Sequence, residues 1–417
     1  MSNGNSTNEK KLEGKIVIDL VFEAMSANYD QGPGNMQPLK KIVMPDGTVH
    51  TLISRYALRY SILKTMENEG MTVFGPGDLF SSASQEDGEG TLQLDIKRIP
   101  DALSIPEFQL FGFLVATQKE GGIQIQRENP VKITNAISLT PFEGDTLMYT
   151  NLSVAKRHAE SMKSHLNPSP FNKEEHVSLY TASTVIDIDQ IRRFEFYYEK
   201  ELFKEDKREV KASFDGETNK VIGIITKKEI KVKKLKKKRS KNSQSKKEET
   251  KEETAYIYTW EIIDENYLKK LVERFIQAIL NLKRTIQGRD TIWPKFAFIR
   301  KFDGNYDTLI DKLVLHPEVV EELETISKED NGKVVTIGKR RMFRKIKIEV
   351  PEKVQEIGKE VKLDSLPLEE WGFHYKKGKK EKKENGKEII RMQGLGGTVI
   401  EVEFEGIKGT EEKKEKQ

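Results

Sequence analysis

Residues 15–25, KIVIDLVFEAM, constrain the fold more than any other stretch. Ile16, Ile18, Leu20, Phe22 and Ala24 recur at every second position, which predicts a strand with these side chains on its core face. A loop with glycine and proline follows, then a hairpin around Asp46-Gly47 and a helix starting near Ser54. Residues 107–117, EFQLFGFLVAT, read as a buried strand, and 177–188, VSLYTASTVIDI, as a further alternating strand. The clearest helix is predicted over 265–287. There Leu268, Leu271, Val272, Phe275, Ile279, Leu282 and Ile286 keep helical spacing, Asp264 can cap the start and Gly288 can close the end. A last strand is expected over 296–302. Strand, helix, strands, long helix and strand make up the α+β pattern of a ferredoxin-like or RRM-like sheet, here stretched by insertions.

The 417 residues include no cysteine. Disulfides, thiolate zinc sites and cysteine nucleophiles are thereby excluded, in keeping with a reducing compartment. The polar opening and the absence of any apolar run near the roughly 20 residues of a membrane span predict a soluble, cytoplasmic chain. The net charge of +4 hides an uneven distribution. Residues 227–247 hold twelve Lys/Arg against one acidic residue, and 376–391 hold eight against three, which leaves the remainder at −12. Contact with nucleic acid must therefore involve local grooves as well as these runs. The first run lies between strand-like segments 219–232 and 255–263, which predicts a β-hairpin with a long disordered Lys-rich tip. A solvated tip without a ligand accounts for it equally well.

Ser54 is a favourable helix N-cap, with Arg55 and Arg59 following one turn apart. Two cations at this spacing repel. An anion lying across them, beside the positive end of the helix dipole, offsets that cost, and guanidinium grips phosphate with paired donors. Two solvated arginines on an ordinary surface helix are the plainer alternative. A second basic cluster, Lys283, Arg284, Arg289 and Lys295, surrounds Gln287-Gly288 and Trp293. Cations at a helix C-terminus satisfy the dipole, and a basic turn with an aromatic ring also suits single-stranded RNA.

No catalytic constellation emerges. The histidines His50, His158, His165, His176, His316 and His374 lack a ligand pattern, although His158 and His165 stand seven apart. Asp187 and Asp189 alternate on a predicted strand, where a solvent-facing strand end explains them more simply than Mg²⁺ does. The run Gly394-Leu-Gly-Gly397 leads into a strand-like segment and reads as a tight turn. No metal, cofactor or enzymatic activity is expected.

Taken in order, several blocks resemble one family. They are EAMSANYD, PLKKI, LISRYALRYSIL, LFGFLVA, PVKITNAISLTPFEGD, SLYTASTVIDIDQI and FIQAILNLKRTIQGRDTIWPKFAFI, spread over roughly residues 15–300. The chain resembles the DevR-type, Cas-seven superfamily backbone subunits of type I CRISPR effector complexes (Cascade), most closely the I-B subtype. The resemblance implies an RRM-like palm over 14–310, after a disordered tail at 1–13. It implies finger-like loops at 81–106 and 157–176 and a thumb-like turn at 284–296. The Lys-rich tip at 227–254 lies outside the pattern, and 311–417 extend the palm with a basic loop at 376–391. Several copies would stack head to tail along one CRISPR guide RNA, beside other Cascade subunits, and present it to target DNA.

Matched residue by residue, the resemblance implies RNA contacts from Ser26, Asn28, Lys40, Lys41, Ser54, Arg55, Arg59, Arg284, Gln287, Arg289 and Trp293. Lys233, Lys234, Lys236, Lys237, Lys238 and Arg239 are candidates for holding DNA. Asp30 occupies the loop in which RNA-cutting relatives carry an aspartate, but a type I subunit implies no cleavage. The alternative function is a metal- or His-dependent endoribonuclease acting on CRISPR repeat or target RNA.

Overall fold

The structure is a computed structural model. It describes residues 11–309 apart from 84–90, 117–123, 165–166, 168, 215–216 and 238–247, and beyond 309 the strands 313–316, 322–330, 333–341, 343–349, 374–376, 380–384, 387–393 and 399–405. The protein is mixed α/β and rich in strands. It divides into two compact units, one of residues 1–15, 63–132 and 186–278, the other of 16–62, 133–185 and 279–417.

The second unit is built on an eight-stranded sheet. Its principal strands are β1 (Lys15–Met25), β2 (Val177–Asp187) and, much later in the chain, β5 (Ile292–Phe302). The spatial order is His374–Lys376, β5, β1, β2, Ala136–Ser138, Val49–Ile53, Lys41–Val43, with Val131–Ile133 also paired to β2. β1 is central, so both its faces are covered and every residue from Ile16 to Ala24 is buried. That burial includes Asp19 and Glu23. A buried carboxylate requires a partner. Asp19 accepts hydrogen bonds from the Arg300 guanidinium (2.8 Å), the Ser183 hydroxyl and the Leu309 amide (2.9 Å). Burial still raises its pKa, against the opposing charge of Arg300. Glu23 pairs with Lys295 at 3.2 Å. The Asp46-Gly47 hairpin forms as predicted, with Gly47 at φ +84°. The helix after it is α1 (Arg55–Asn68).

The first unit contains a four-stranded sheet and the amphipathic part of helix α2 (Glu265–Leu280). Leu268, Leu271, Val272, Phe275 and Ile276 of α2 are completely buried, and Phe275 meets Phe111 edge-on at 5.8 Å. In the sheet, β3 (Glu217–Lys237) pairs antiparallel with β4 (Glu248–Ile262).

Several predicted elements are corrected. Residues 107–117 are not one strand. Pro106 opens a helix, Pro106–Phe111, and Phe113–Ala116 is the strand. Proline suits a first helical turn because its missing N–H is not needed there. Gly112 separates the two at φ +63°, where an added Cβ would lie 2.1 Å from the Arg127 carbonyl. α2 keeps its Asp264 cap, whose carboxylate accepts from the Tyr267 amide at 3.0 Å, but it stops at Leu280 rather than 287. Asp187 and Asp189 do not share a strand. Asp187 ends β2 and caps the short helix Ile188–Arg192, accepting from the Gln190 amide at 3.1 Å.

The Lys-rich segment is not simply a disordered tip. β3 and β4 stay in register as far as Lys237 opposite Glu248, and only 238–247 lie outside the described residues. Counting charge from 227 to 247 omits Glu248, Glu249, Glu252 and Glu253 on the returning strand. The backbone register sets Lys233 opposite Glu252, Lys236 opposite Glu249 and Lys237 opposite Glu248, and Lys233 lies 3.9 Å from Glu252, a cross-strand pair that favours the ladder.

The segments predicted as loops also carry structure. Within 81–106, strands Phe80–Ala83 and Thr91–Leu94 pair, and Ile99–Ala102 is helical. Within 157–176, helix Leu152–Met162 and strand Phe171–Glu174 are formed. The basic loop at 376–391 is largely a hairpin, Lys380–Glu384 against Lys387–Gln393. Of the N-terminal tail, Leu12 is held through its carbonyl by Arg192 at 2.6 Å, and 1–10 lie outside the described residues, as do Gly394, Gly396 and Gly397.

Candidate nucleic-acid interface

The candidate RNA-contacting residues all belong to the second unit. They fall on the loop after β1, the start of α1 and the segment between α2 and β5. Ser26 turns the chain at the end of β1 with a left-handed φ of +48° and is buried. Its amide donates to the His176 carbonyl and its hydroxyl accepts from the His176 amide, both at 2.9 Å. That exchange offsets the strain of a non-glycine residue there.

Two residues downstream, the carbonyl of Asn28 accepts from the Lys40 amide at 3.0 Å. Its side-chain oxygen accepts from the Ser54 amide at 2.8 Å. A second asparagine, Asn135, accepts from the Arg55 amide at 2.8 Å. Ser54 is the N-cap, its hydroxyl taking the Ala57 amide at 3.3 Å. The orphan donors that open a helix are thus already engaged at Ser54, Arg55 and Ala57. An anion at this end of α1 is left to side chains rather than to a cradle of backbone amides.

Those side chains differ in their commitments. Arg55 is exposed. It donates to the Tyr56 hydroxyl at 3.2 Å and lies over the Tyr56 ring, 5.1 Å from its centre. The hydrogen bond and charge of Arg55 lower the Tyr56 phenol's pKa. Arg59, one turn on, is half-buried. Lys40 pairs with Asp30 at 3.7 Å. Lys41 is held by the buried Glu174 at 2.6 and 2.8 Å, with the Phe142 ring centre 4.9 Å away.

Arg284 is a brace. Its guanidinium donates to the Ala27 carbonyl (2.7 Å) and the Ser61 hydroxyl (3.1 Å), which ties the loop after β1 to α1. Burial lowers its pKa. The helix dipole does not explain the basic cluster around it, because α2 has already ended. Thr285–Ile286 and Arg289–Asp290 instead form a two-residue hairpin. Its loop residues Gln287 and Gly288 have φ of +52° and +76°, the combination of a type I′ turn. The Gln287 side-chain oxygen accepts from Lys173 at 3.3 Å. Arg289 is exposed at the hairpin, Trp293 is half-buried on β5, and Lys295 is engaged by Glu23.

The candidate set therefore separates physically. Ser26, Asn28, Ser54 and Arg284 hold backbone in place, Lys40 and Lys41 face carboxylates, and Arg55 and Arg289 are the exposed arginines of the set. Sequence reasoning passed over Asn135, Tyr56 and Tyr60. The two tyrosines are 67% and 56% exposed, and the repeat Arg-Tyr-x-x-Arg-Tyr over 55–60 was their signal. Of the DNA candidates, Lys233 is exposed with Glu252 at 3.9 Å. Lys234, Lys236 and Lys237 lie on the β3 ladder, and Lys238 and Arg239 fall outside the described residues.

Two histidines have structural partners. His50 Nδ1 lies 2.6 Å from the Ser138 carbonyl, and His176 Nδ1 lies 2.7 Å from the Thr51 hydroxyl. His158 falls on helix Leu152–Met162, and His165 lies outside the described residues. Among the described residues, no three His, Asp or Glu side chains cluster to hold a metal ion, and no helix is long and apolar enough to cross a membrane.

The family described as the CRISPR-associated negative auto-regulator DevR/Csa2 matches residues 16–249, more than half the chain. The protein belongs to that family. No curated protein matches it. Among solved structures, a chain of a "CRISPR RNA-guided surveillance complex" aligns with a TM-score of 0.33 at 9% identity, covering 70% of this chain and 72% of the other. A chain of a "CRISPR RNA-guided surveillance complex, pre-nicking" aligns at 0.35 and 9%, covering 70% and 80%.

Proposed function

We propose that this protein is a non-catalytic backbone subunit of a type I CRISPR surveillance complex, most like the I-B subtype, that binds guide RNA through its phosphates. The observation that carries the proposal is the start of α1. Arg55 is exposed and, among the described residues, meets no carboxylate, on a turn whose backbone is fixed by Asn28, Asn135 and Ser54. Fixed backbone carrying an exposed guanidinium group is suited to gripping a polyanion without reading its sequence. Membership in a CRISPR-associated family supplies the biological setting.

The eight-stranded sheet serves in this reading as an RRM-like palm. Its order of β5, β1, β2 and Ala136–Ser138 supports the assignment, because β1 lies between β2 and a strand much later in the chain, as the first strand of a ferredoxin-like sheet lies between the third and the fourth. Copies of the chain would follow one another along the guide, an open head-to-tail assembly beside other subunits. Base pairing with target DNA would supply the specificity.

The test is titration of the full chain with labelled single-stranded RNA at several salt concentrations. Binding should be nearly independent of sequence, and each phosphate contact should add about −0.7 to the slope of log affinity against log salt. RNA should also travel with the purified protein. No binding at low ionic strength would overturn the reading. So would cleavage of repeat RNA that one His or Asp substitution abolishes.

A further inference from the structure

We infer that Tyr56 and Tyr60 form a stacking platform on which α1 receives two unpaired nucleobases of the bound strand. The inference rests on the RNA-binding reading and adds a base-contacting site to it. Isolated apolar groups on a surface are ordinary. These two are large aromatic rings four residues apart, on neighbouring turns of one helix face, and they stay 67% and 56% exposed. Each follows an arginine in sequence, the exposed Arg55 before Tyr56 and the half-buried Arg59 before Tyr60. The Arg55 guanidinium lies over the Tyr56 ring at 5.1 Å and bonds its hydroxyl at 3.2 Å, which steadies the ring while most of it remains open to solvent.

The occupant follows from this chemistry. Cations beside flat aromatic surfaces match single-stranded nucleic acid, in which phosphates pair with arginine and bases stack on rings. A basic surface without rings would serve a duplex equally well, and rings without cations would suit an apolar partner. Four residues of helix rise about 6 Å, whereas bases stacked along one strand lie about 3.4 Å apart. Each ring therefore takes its own base. Recognition is by stacking, so it does not discriminate among the four bases.

The experiment compares two probes with the full chain, a labelled single-stranded RNA and an oligomer of equal length whose residues are abasic. Tyr56→Leu with Tyr60→Leu should weaken the base-bearing strand at least tenfold and leave the abasic strand within twofold. Tyr56→Phe with Tyr60→Phe should retain wild-type affinity, because stacking needs the ring and not the hydroxyl. Arg55→Ala with Arg59→Ala should weaken both probes alike. Circular dichroism confirms that each variant is folded.

The platform is overturned if the leucine variant binds base-bearing RNA as the wild type does, or loses both probes equally. It is also overturned if that variant changes the sedimentation of RNA-free protein while RNA affinity stays constant, since the rings would then seat a second copy. If the unaltered chain binds neither probe, the RNA-binding reading fails, and the platform with it.

Discussion

The start of α1 and the β3–β4 hairpin both read as basic, yet their charges are disposed differently. In the hairpin, Lys233 meets Glu252 across the ladder at 3.9 Å, and the backbone register places Lys236 and Lys237 opposite Glu249 and Glu248. At α1, Arg55 meets a tyrosine, and the turn that carries it is held by neutral asparagines. A run of lysines is a local property of sequence. Whether its charge is available depends on what the fold sets opposite it.

The largest expected effect tests the open side of this contrast. Arg55→Ala with Arg59→Ala should cost about two orders of magnitude in RNA affinity at low salt, taking each charge-assisted contact at about 1.4 kcal/mol. Fluorescence anisotropy would also show the salt slope shallower by about 1.4. If removing 234–251 from the hairpin lowers RNA affinity by as much, the contrast is broken. The expectation is a change within twofold.

Next comes the brace. Arg284→Ala should lower stability by about 2 kcal/mol in urea denaturation, because the Ala27 carbonyl and Ser61 hydroxyl lose a partly buried donor. Arg284→Lys should recover little, since one ammonium does not reproduce the fork. Asn28→Ala and Asn135→Ala should each cost about 1 kcal/mol by releasing an amide at the start of α1. The salt slope should be preserved in both, which separates holding the helix from gripping the strand. The smallest effect belongs to the paired side. Lys233→Glu sets like charges opposite Glu252, and thermal melting should register no more than about 0.5 kcal/mol.

The parts of the fold legible in sequence were those whose signal is local. The alternation of 15–25 located β1, and Ser54 and Asp264 located two helix starts. The end of α2 was hidden because Leu282 and Ile286 happen to continue its spacing while lying beyond the helix, Ile286 in the following hairpin. The 107–117 segment is apolar enough for either state, and Pro106 was the neglected signal. At the site, Arg55 and Arg59 were readable from their spacing. The closure of the α1 amides was not, because Asn28 and Asn135 reach it from 26 and 80 residues away. The role of Arg284 depends likewise on partners far earlier in the chain.

The central position of β1 also affects how the chain is made. Its buried Asp19 is neutralised by Arg300, 281 residues further on. At about 5–20 residues per second, a ribosome needs roughly 14–56 s to supply that arginine after the aspartate. Through that interval this buried, largely apolar strand waits beside the nascent chain without its later neighbour. Such distant pairings fold slowly, so a chaperone that shields residues 16–24 until β5 emerges should raise the yield of native protein.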